Sequence, residues 1–281
     1  MNATPQRLAI LFTAVLLFRS PRLFAQPSPS AVAFFNTYVA TVESRLSQQH
    51  RTPDRFLALD PGTRTRLRSG ELLIENLTPA SQPSDALLHH WRATAFVPNT
   101  TAAAFEHLLR DFTAYPHNFA PEILATTVLT QTGVPSERSV FAGVETPTHT
   151  LLRLRTRQHH VITVVLDTTC DVTFATLDAT HGYSISRSTR IDEITPTGAA
   201  ATDKQAQGFL YRLNTYWSWE QRDNGLYLQL ESLSLTRAIP HGLAWAVRPY
   251  LESIPRDSLI FTLTSARNTL RNNPSPLTPN P

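Results

Sequence analysis

One cysteine, Cys170, and one lysine, Lys204, occur in 281 residues. A single cysteine excludes an intramolecular disulfide, so stability has to come from a packed core. Neither CxxC nor HExxH is present. The histidine pairs His89-His90 and His159-His160 are sequence neighbours that a strand would point to opposite faces, so no metal site is expected. The glycines fit neither GxGxxG nor a phosphate-cradling loop, and there is no GxSxG, which leaves nucleotide binding and α/β-hydrolase chemistry without support. Cys170 sits between Asp167 and Asp171, whose charges would raise its thiol pKa, and it reads as a structural residue at a strand turn. No catalytic residues and no cofactor are expected.

A lasting positive charge is also missing. The chain is formally +3, but residues 1–25 hold Arg7, Arg19 and Arg22 and no acid, so their removal leaves 22 basic and 22 acidic residues. The basic isoelectric point is therefore no argument for a nucleic-acid partner, and none is expected. Apart from 8–18 there is no long apolar run. That run follows the basic Arg7, is too short for a comfortable membrane span, and is followed by Leu23-Phe24-Ala25, so 1–25 reads as a signal peptide for export to the periplasm or medium. Arg19 and Arg22 are unusual near a cleavage site and leave an uncleaved anchor as the alternative.

What is there is organised by period. Residues 31–48 place Ala31, Phe35, Tyr38, Val42 and Leu46 at helical spacing. Pro53, Pro61, Pro79 and Pro83 then break a polar stretch, so 26–83 reads as a helical extension and linker. From 86 the period becomes two, with Leu88, His90, Arg92, Thr94 and Phe96 opposite Leu87, His89, Trp91, Ala93, Ala95 and Val97. A short helix capped within Asn99-Thr100-Thr101 and a second short turn follow. Strand-like runs come next at 123–130, 139–143, 150–157, 161–167, 171–177 and 183–194, then a mobile loop at 195–207 and two long strands at 209–220 and 226–237. Their short polar spacers favour antiparallel hairpins. An Asn224-Gly225 turn would set Trp219 opposite Leu230 and Trp217 opposite Ser232. The chain closes with an amphipathic helix over 255–271, its stripe made of Leu259, Leu263, Ala266 and Leu270; 274–281 reads as a disordered Pro-rich tail.

In that last hairpin one face collects Tyr211, Leu213, Thr215, Trp217 and Trp219 with Leu226, Leu228, Leu230, Ser232, Ser234 and Thr236. The other carries Arg212, Asn214, Ser218, Glu220, Gln229, Glu231 and Arg237, which are costly to bury, so the aromatic face is expected inward. Arg153, Arg155 and Arg157 alternate and read as a solvated face. Arg187 and Arg190, an odd interval apart, are expected on opposite sides, one of them entering the interior. The segment 243–254, with Leu243, Trp245 and Leu251, is too apolar for a solvated connection. It reads as a short helix folded onto the sheet, as a gate over a cavity, or as a patch that touches membrane transiently.

The element order of one strand, two short helices, a run of antiparallel strands and a long C-terminal helix resembles the START-like helix-grip superfamily, also called SRPBCC, over 86–272. Leu213-Asn214-Thr215-Tyr216-Trp217, Ser234-Leu235-Thr236-Arg237 and Ile254-Pro255-Arg256-Asp257-Ser258-Leu259 are similar to its bacterial members. The resemblance implies an α+β fold over 84–273, with a curved antiparallel sheet of about six to eight strands around the C-terminal helix. It implies too a cavity that accepts a hydrophobic small molecule or lipid. The superfamily shares no catalytic motif, so no catalytic residue is carried over.

The expected ligand-binding residues are Tyr211, Thr215, Trp217, Trp219, Leu228, Leu230, Ser232, Ser234, Leu259 and Leu263, with Leu243, Trp245 and Leu251 as the gate. The expected function is an exported binding or transfer protein for a hydrophobic or amphipathic small molecule. The alternatives are a cyclase- or hydrolase-like enzyme using the same cavity, and a protein-interaction module with a collapsed cavity.

Overall fold

The structure, a computed structural model, describes residues 26–57, 59–83, 85–132, 148–159, 163–195, 197–201, 210–238 and 244–273, with the backbone alone at 159 and 244–252. The expected signal peptide, the strand at 139–143, Leu243 and the Pro-rich tail lie outside the described residues. The first helix, α1, spans Pro29–His50. Ser28 starts it by accepting a hydrogen bond from the Ala31 amide at 3.0 Å, and Pro29 takes the first helical position, where its missing N–H costs nothing. A second short helix, α2, covers Pro61–Arg68 and is capped by Asp60.

Eight strands form one antiparallel sheet. They are β1 (Leu73–Asn76), β2 (Ala86–Pro98), β3 (Ile123–Thr132), β4 (Thr148–His159), β5 (Thr163–Thr176), β6 (His181–Ile194), β7 (Leu210–Arg222) and β8 (Gly225–Arg237). Their order across the sheet is β1-β2-β8-β7-β6-β5-β4-β3. Between β2 and β3 lie α3 (Ala102–Arg110), capped by Thr101, and the one-turn α4 (Tyr115–Asn118). The last described element is α5, Ala244–Asn272.

Four local expectations are corrected. The runs at 161–167 and 171–177 are one strand, β5, and Cys170 lies inside it rather than at a turn. The β7–β8 turn is Asp223-Asn224, both at positive φ (57° and 56°), so Trp219 pairs with Leu228 and Trp217 with Leu230. The register moves by two residues, which by itself keeps the side chains from Leu213 to Trp219 on their expected face. Gly225 is required for space: a Cβ there would overlap the Phe96 ring and the Val97 carbonyl. The closing helix begins at Ala244 and runs through Pro249 and Pro255. Proline φ is compatible with a helix, and each ring removes one internal hydrogen bond without ending it.

Both faces of the sheet are covered. On the inner face Leu259, Leu263, Ala266 and Leu270 of α5, with Phe105, Leu108 and Leu109 of α3, pack on Ala93, Ala95, Trp217, Trp219, Leu228 and Leu230. On the outer face Ala31, Phe35, Val42 and Leu46 of α1 pack on Leu88, Tyr216, Leu233 and Leu235. Burying such a Phe, Val or Leu stabilises by roughly 1.5–3 kcal/mol each, which is why a helix outside the sheet stays on it.

Candidate functional site

The register places the inner-face residues in rows that cross the sheet. One row runs Val172, Ser186, Thr215, Ser232, Trp91. The adjacent row on the turn side runs Phe174, Ser184, Trp217, Leu230, Ala93. On the far side lie Ser234 and His89, with Thr236 and Leu87 beyond them. Neighbouring strands stand about 4.8 Å apart, so Ser186, Thr215 and Ser232 form a ladder of hydroxyls at that spacing.

The inner face therefore has two halves. Toward the turn, Trp219, Leu228 and Leu263 are fully buried and Leu230 and Leu259 nearly so. Phe105 meets Trp217 and Trp219 edge-on at centroid distances of 5.1 and 5.3 Å. This half is filled core, and the structure brings together there Trp217, Trp219, Leu228, Leu230, Leu259 and Leu263. Away from the turn the face is polar: Ser188, Ser232, Ser234 and Thr236 are buried, while Ser186, Leu213, Thr215 and Trp91 remain half-buried.

In that polar half the Thr236 hydroxyl donates to the Leu87 carbonyl at 3.4 Å and accepts from His89 Nε2 at 3.1 Å. Ser188 Oγ accepts the Leu213 amide at 2.8 Å. Ser234 Oγ is buried and has no hydrogen-bond partner among the described residues. A buried hydroxyl left unpaired costs about 1–3 kcal/mol. Along the described inner face of β2, β4, β5, β7 and β8, and of β6 as far as Ser188, there is no Asp, Glu, Lys or Arg. Arg110 and Glu106 approach from α3, but they pair with each other at 2.7 Å and with Thr148 and Thr176.

One expected site residue lies elsewhere. A bulge between Leu210 and Arg212 turns Tyr211 to the outer face, where it joins Leu233 and Leu235. An odd number of residues in a bulge reverses the alternation, which is why a strict period of two misplaced it. The same effect acts on β6: the shift at Thr169/Cys170 puts both Arg187 and Arg190 on the outer face, where Arg187 clamps Glu43 at 2.7 and 2.8 Å. Trp91 was not among the expected residues, although its parity with Ala93 and Ala95 was a usable signal. Cys170 is buried, and burial pushes its thiol up to about 11. Trp245 and Leu251 fall in the first turns of α5, where the backbone alone is described.

The outer face holds the charges. Arg45 of α1 reaches Glu231 at 2.5 Å, and His90 Nε2 reaches the same oxygen at 2.9 Å. Tyr38 Oη meets His90 Nδ1 at 2.9 Å, and Arg64 reaches Glu220 at 2.9 Å. Burial alone would raise Glu231, but the hydrogen bond with His90 and the charge of Arg45 outweigh it and hold the carboxyl at about 2. The charged face is thus inside a second layer rather than in solvent, because α1 and α2 supply its counter-charges.

A long antiparallel sheet closed on its inner face by a C-terminal helix, with two short helices between the first long strand and the next, decides the architecture. This is the α+β helix-grip fold. No family model matches the chain, and no curated protein matches it in sequence. Among solved structures, the grip is similar to a START superfamily protein from Mycobacterium smegmatis, at 13% identity and a TM-score of 0.40, covering 68% of this chain and 99% of that one. It is similar to a STAR-related lipid transfer protein from Xanthomonas axonopodis, at 14% identity and TM-score 0.42, covering 70% and 98%. An aromatase/cyclase from a Streptomyces species matches at 14% and TM-score 0.42, covering 66% and 95%. At such values the backbones diverge widely, and the helix-grip reading rests on this chain's own strand order and closing helix.

Proposed function

We propose that this protein binds a hydrophobic or amphipathic small molecule within the grip, between the inner face and α5, and that it does so after export. One observation carries the binding reading: the inner face is solid core toward the turn and buried or half-buried hydroxyls away from it, with Ser234 Oγ buried and without a partner among the described residues. A core selected only for stability has no use for such groups, whereas a ligand with an apolar body and hydrogen-bonding atoms satisfies both halves. The lipid-transfer and cyclase names among its structural neighbours agree with a cavity of this kind.

Export and membrane contact rest on the apolar run at 8–18 and on direction. Along β7, Glu43 meets Tyr216, His50 meets Ser218 and Arg64 meets Glu220, so α1 begins at the end of the sheet away from the turn. Arg267, near the other end of α5, reaches the Gly70 carbonyl beside β1, so α5 also begins at that far end. An anchor before α1 would bring Trp245 and Leu251 toward the bilayer, where they would gate the polar half. Titration of the full chain with Nile red tests the binding reading: saturable emission at about one dye per chain is expected for a single cavity, and linear, non-saturating emission contradicts it.

A further inference from the structure

We infer that the ligand is uncharged and carries several hydrogen-bonding oxygens, and that Ser186, Thr215, Ser232 and Ser234 read them. This rests on the binding reading just given and names the chemistry of its ligand. Across three neighbouring strands Ser186, Thr215 and Ser232 stand in one row, with the Trp91 indole at its end. Ser234 is the next inner-face residue along β8; the residue is 3% exposed, and its hydroxyl is buried with no hydrogen-bond partner among the described residues. Each hydroxyl both donates and accepts, so the row suits hydroxyl, ether or carbonyl oxygens equally.

The same row is hostile to an ion. No Asp, Glu, Lys or Arg stands among the described inner-face residues around it, where the titratable side chain is His89, paired in register with Ser234 and meeting Thr236 through Nε2; Arg110, which approaches from α3, is already neutralised by Glu106. A carboxylate or phosphate placed there would lose water and meet no Lys or Arg side chain among the described residues of the row, a cost of several kcal/mol. The formal charges of the sheet near α1 are all on the other face, with Glu231, Glu220, Arg92 and Arg187. Across the described parts of β2, β7 and β8 the sheet thus keeps its Asp, Glu and Arg side chains to the outer layer.

The test is displacement of Nile red from the full chain at pH 8 by two ligands with the same acyl chain: monoolein, neutral with two free hydroxyls, and oleate, an anion. Monoolein is expected to displace the dye at about a tenfold lower concentration, and the Ser232→Ala/Ser234→Ala double variant to lose most of that preference, as two hydrogen bonds of ordinary strength would give. Oleate competing as well as monoolein, or a double variant with the wild-type preference and an unchanged near-UV spectrum, overturns the inference while leaving apolar binding intact. Should the double variant not fold, the wild-type ratio alone decides. Failure of the dye to bind at all removes the binding reading and this inference with it.

Discussion

Arg45, in the first helix, and Glu231, in the last strand, meet at 2.5 Å although 186 positions separate them. Glu231 is 1% exposed and also takes the hydrogen bond from His90, so the contact joins α1 to the middle of the outer face. Replacing Glu231 by Ala leaves Arg45 and Arg92 facing a buried gap. A loss of about 3–5 kcal/mol is expected, as for other broken buried pairs. Arg45→Ala alone costs less, because its side chain is 36% exposed. Urea unfolding of the two variants measures this, and equal small effects would show that α1 is held by its apolar stripe alone.

Acid should loosen the same layer in two steps. His50 donates to or accepts from Ser218 at 2.9 Å and is stacked between Phe56 and Tyr183. Burial lowers it from 6.5 to about 4, so the unfolded chain binds its proton first. Stability present above pH 6.5 is lost as pH falls toward 4, by up to about 3 kcal/mol. Glu231, held at about 2, gives stability present above its ordinary 4.5 and lost as pH falls from there to about 2. His50→Gln should flatten the upper step only; an unchanged slope of the urea midpoint between pH 6.5 and 4 would count against it.

Glu122, at the start of β3, moves the opposite way. Burial raises its carboxyl from 4.5 to about 7. The protonated form favoured by the fold is lost as pH rises through 7, so stability declines over pH 4.5–7. Glu122→Gln should stabilise by about 1–2 kcal/mol at pH 8, a figure reduced for solvent screening of a half-buried group, and by almost nothing at pH 4. Thermal melts at the two pH values check the difference.

Gly182 faces Trp219 across the β6–β7 pair, and a Cβ at this position would overlap the indole ring. Gly182→Ala is expected to cost about 1–3 kcal/mol by forcing Trp219 out of its rotamer, with a change in tryptophan emission. Wild-type stability with unchanged emission would mean that the turn-side core yields more easily than its burial implies.

Much of this was legible in the residues because the long strands keep a period of two and the closing stripe of Leu259, Leu263, Ala266 and Leu270 keeps a helical one. Three features were hidden for physical reasons. Tyr211 changed face because a bulge leaves no mark in the pattern. The first turns of α5 were concealed by Pro249 and Pro255, which resemble breakers although their backbone fits a helix. The outer face, with Glu220 and Glu231, looked too charged to bury because its partners Arg64 and Arg45 come from a segment that local patterning could not place. Of the expected site, Thr215, Ser232 and Ser234 sit together in the polar half, and Trp219, Leu228 and Leu263 sit in the core beside it.

Native mass spectrometry of the protein, purified without detergent from the cells that make it and compared with its denatured mass, tests the central reading most directly. A bound neutral small molecule that is released on denaturation, with oxygen atoms in its composition and no ionised group, is the predicted result. A single unliganded mass in both states, with no apolar compound in a solvent extract of the folded protein, would contradict it.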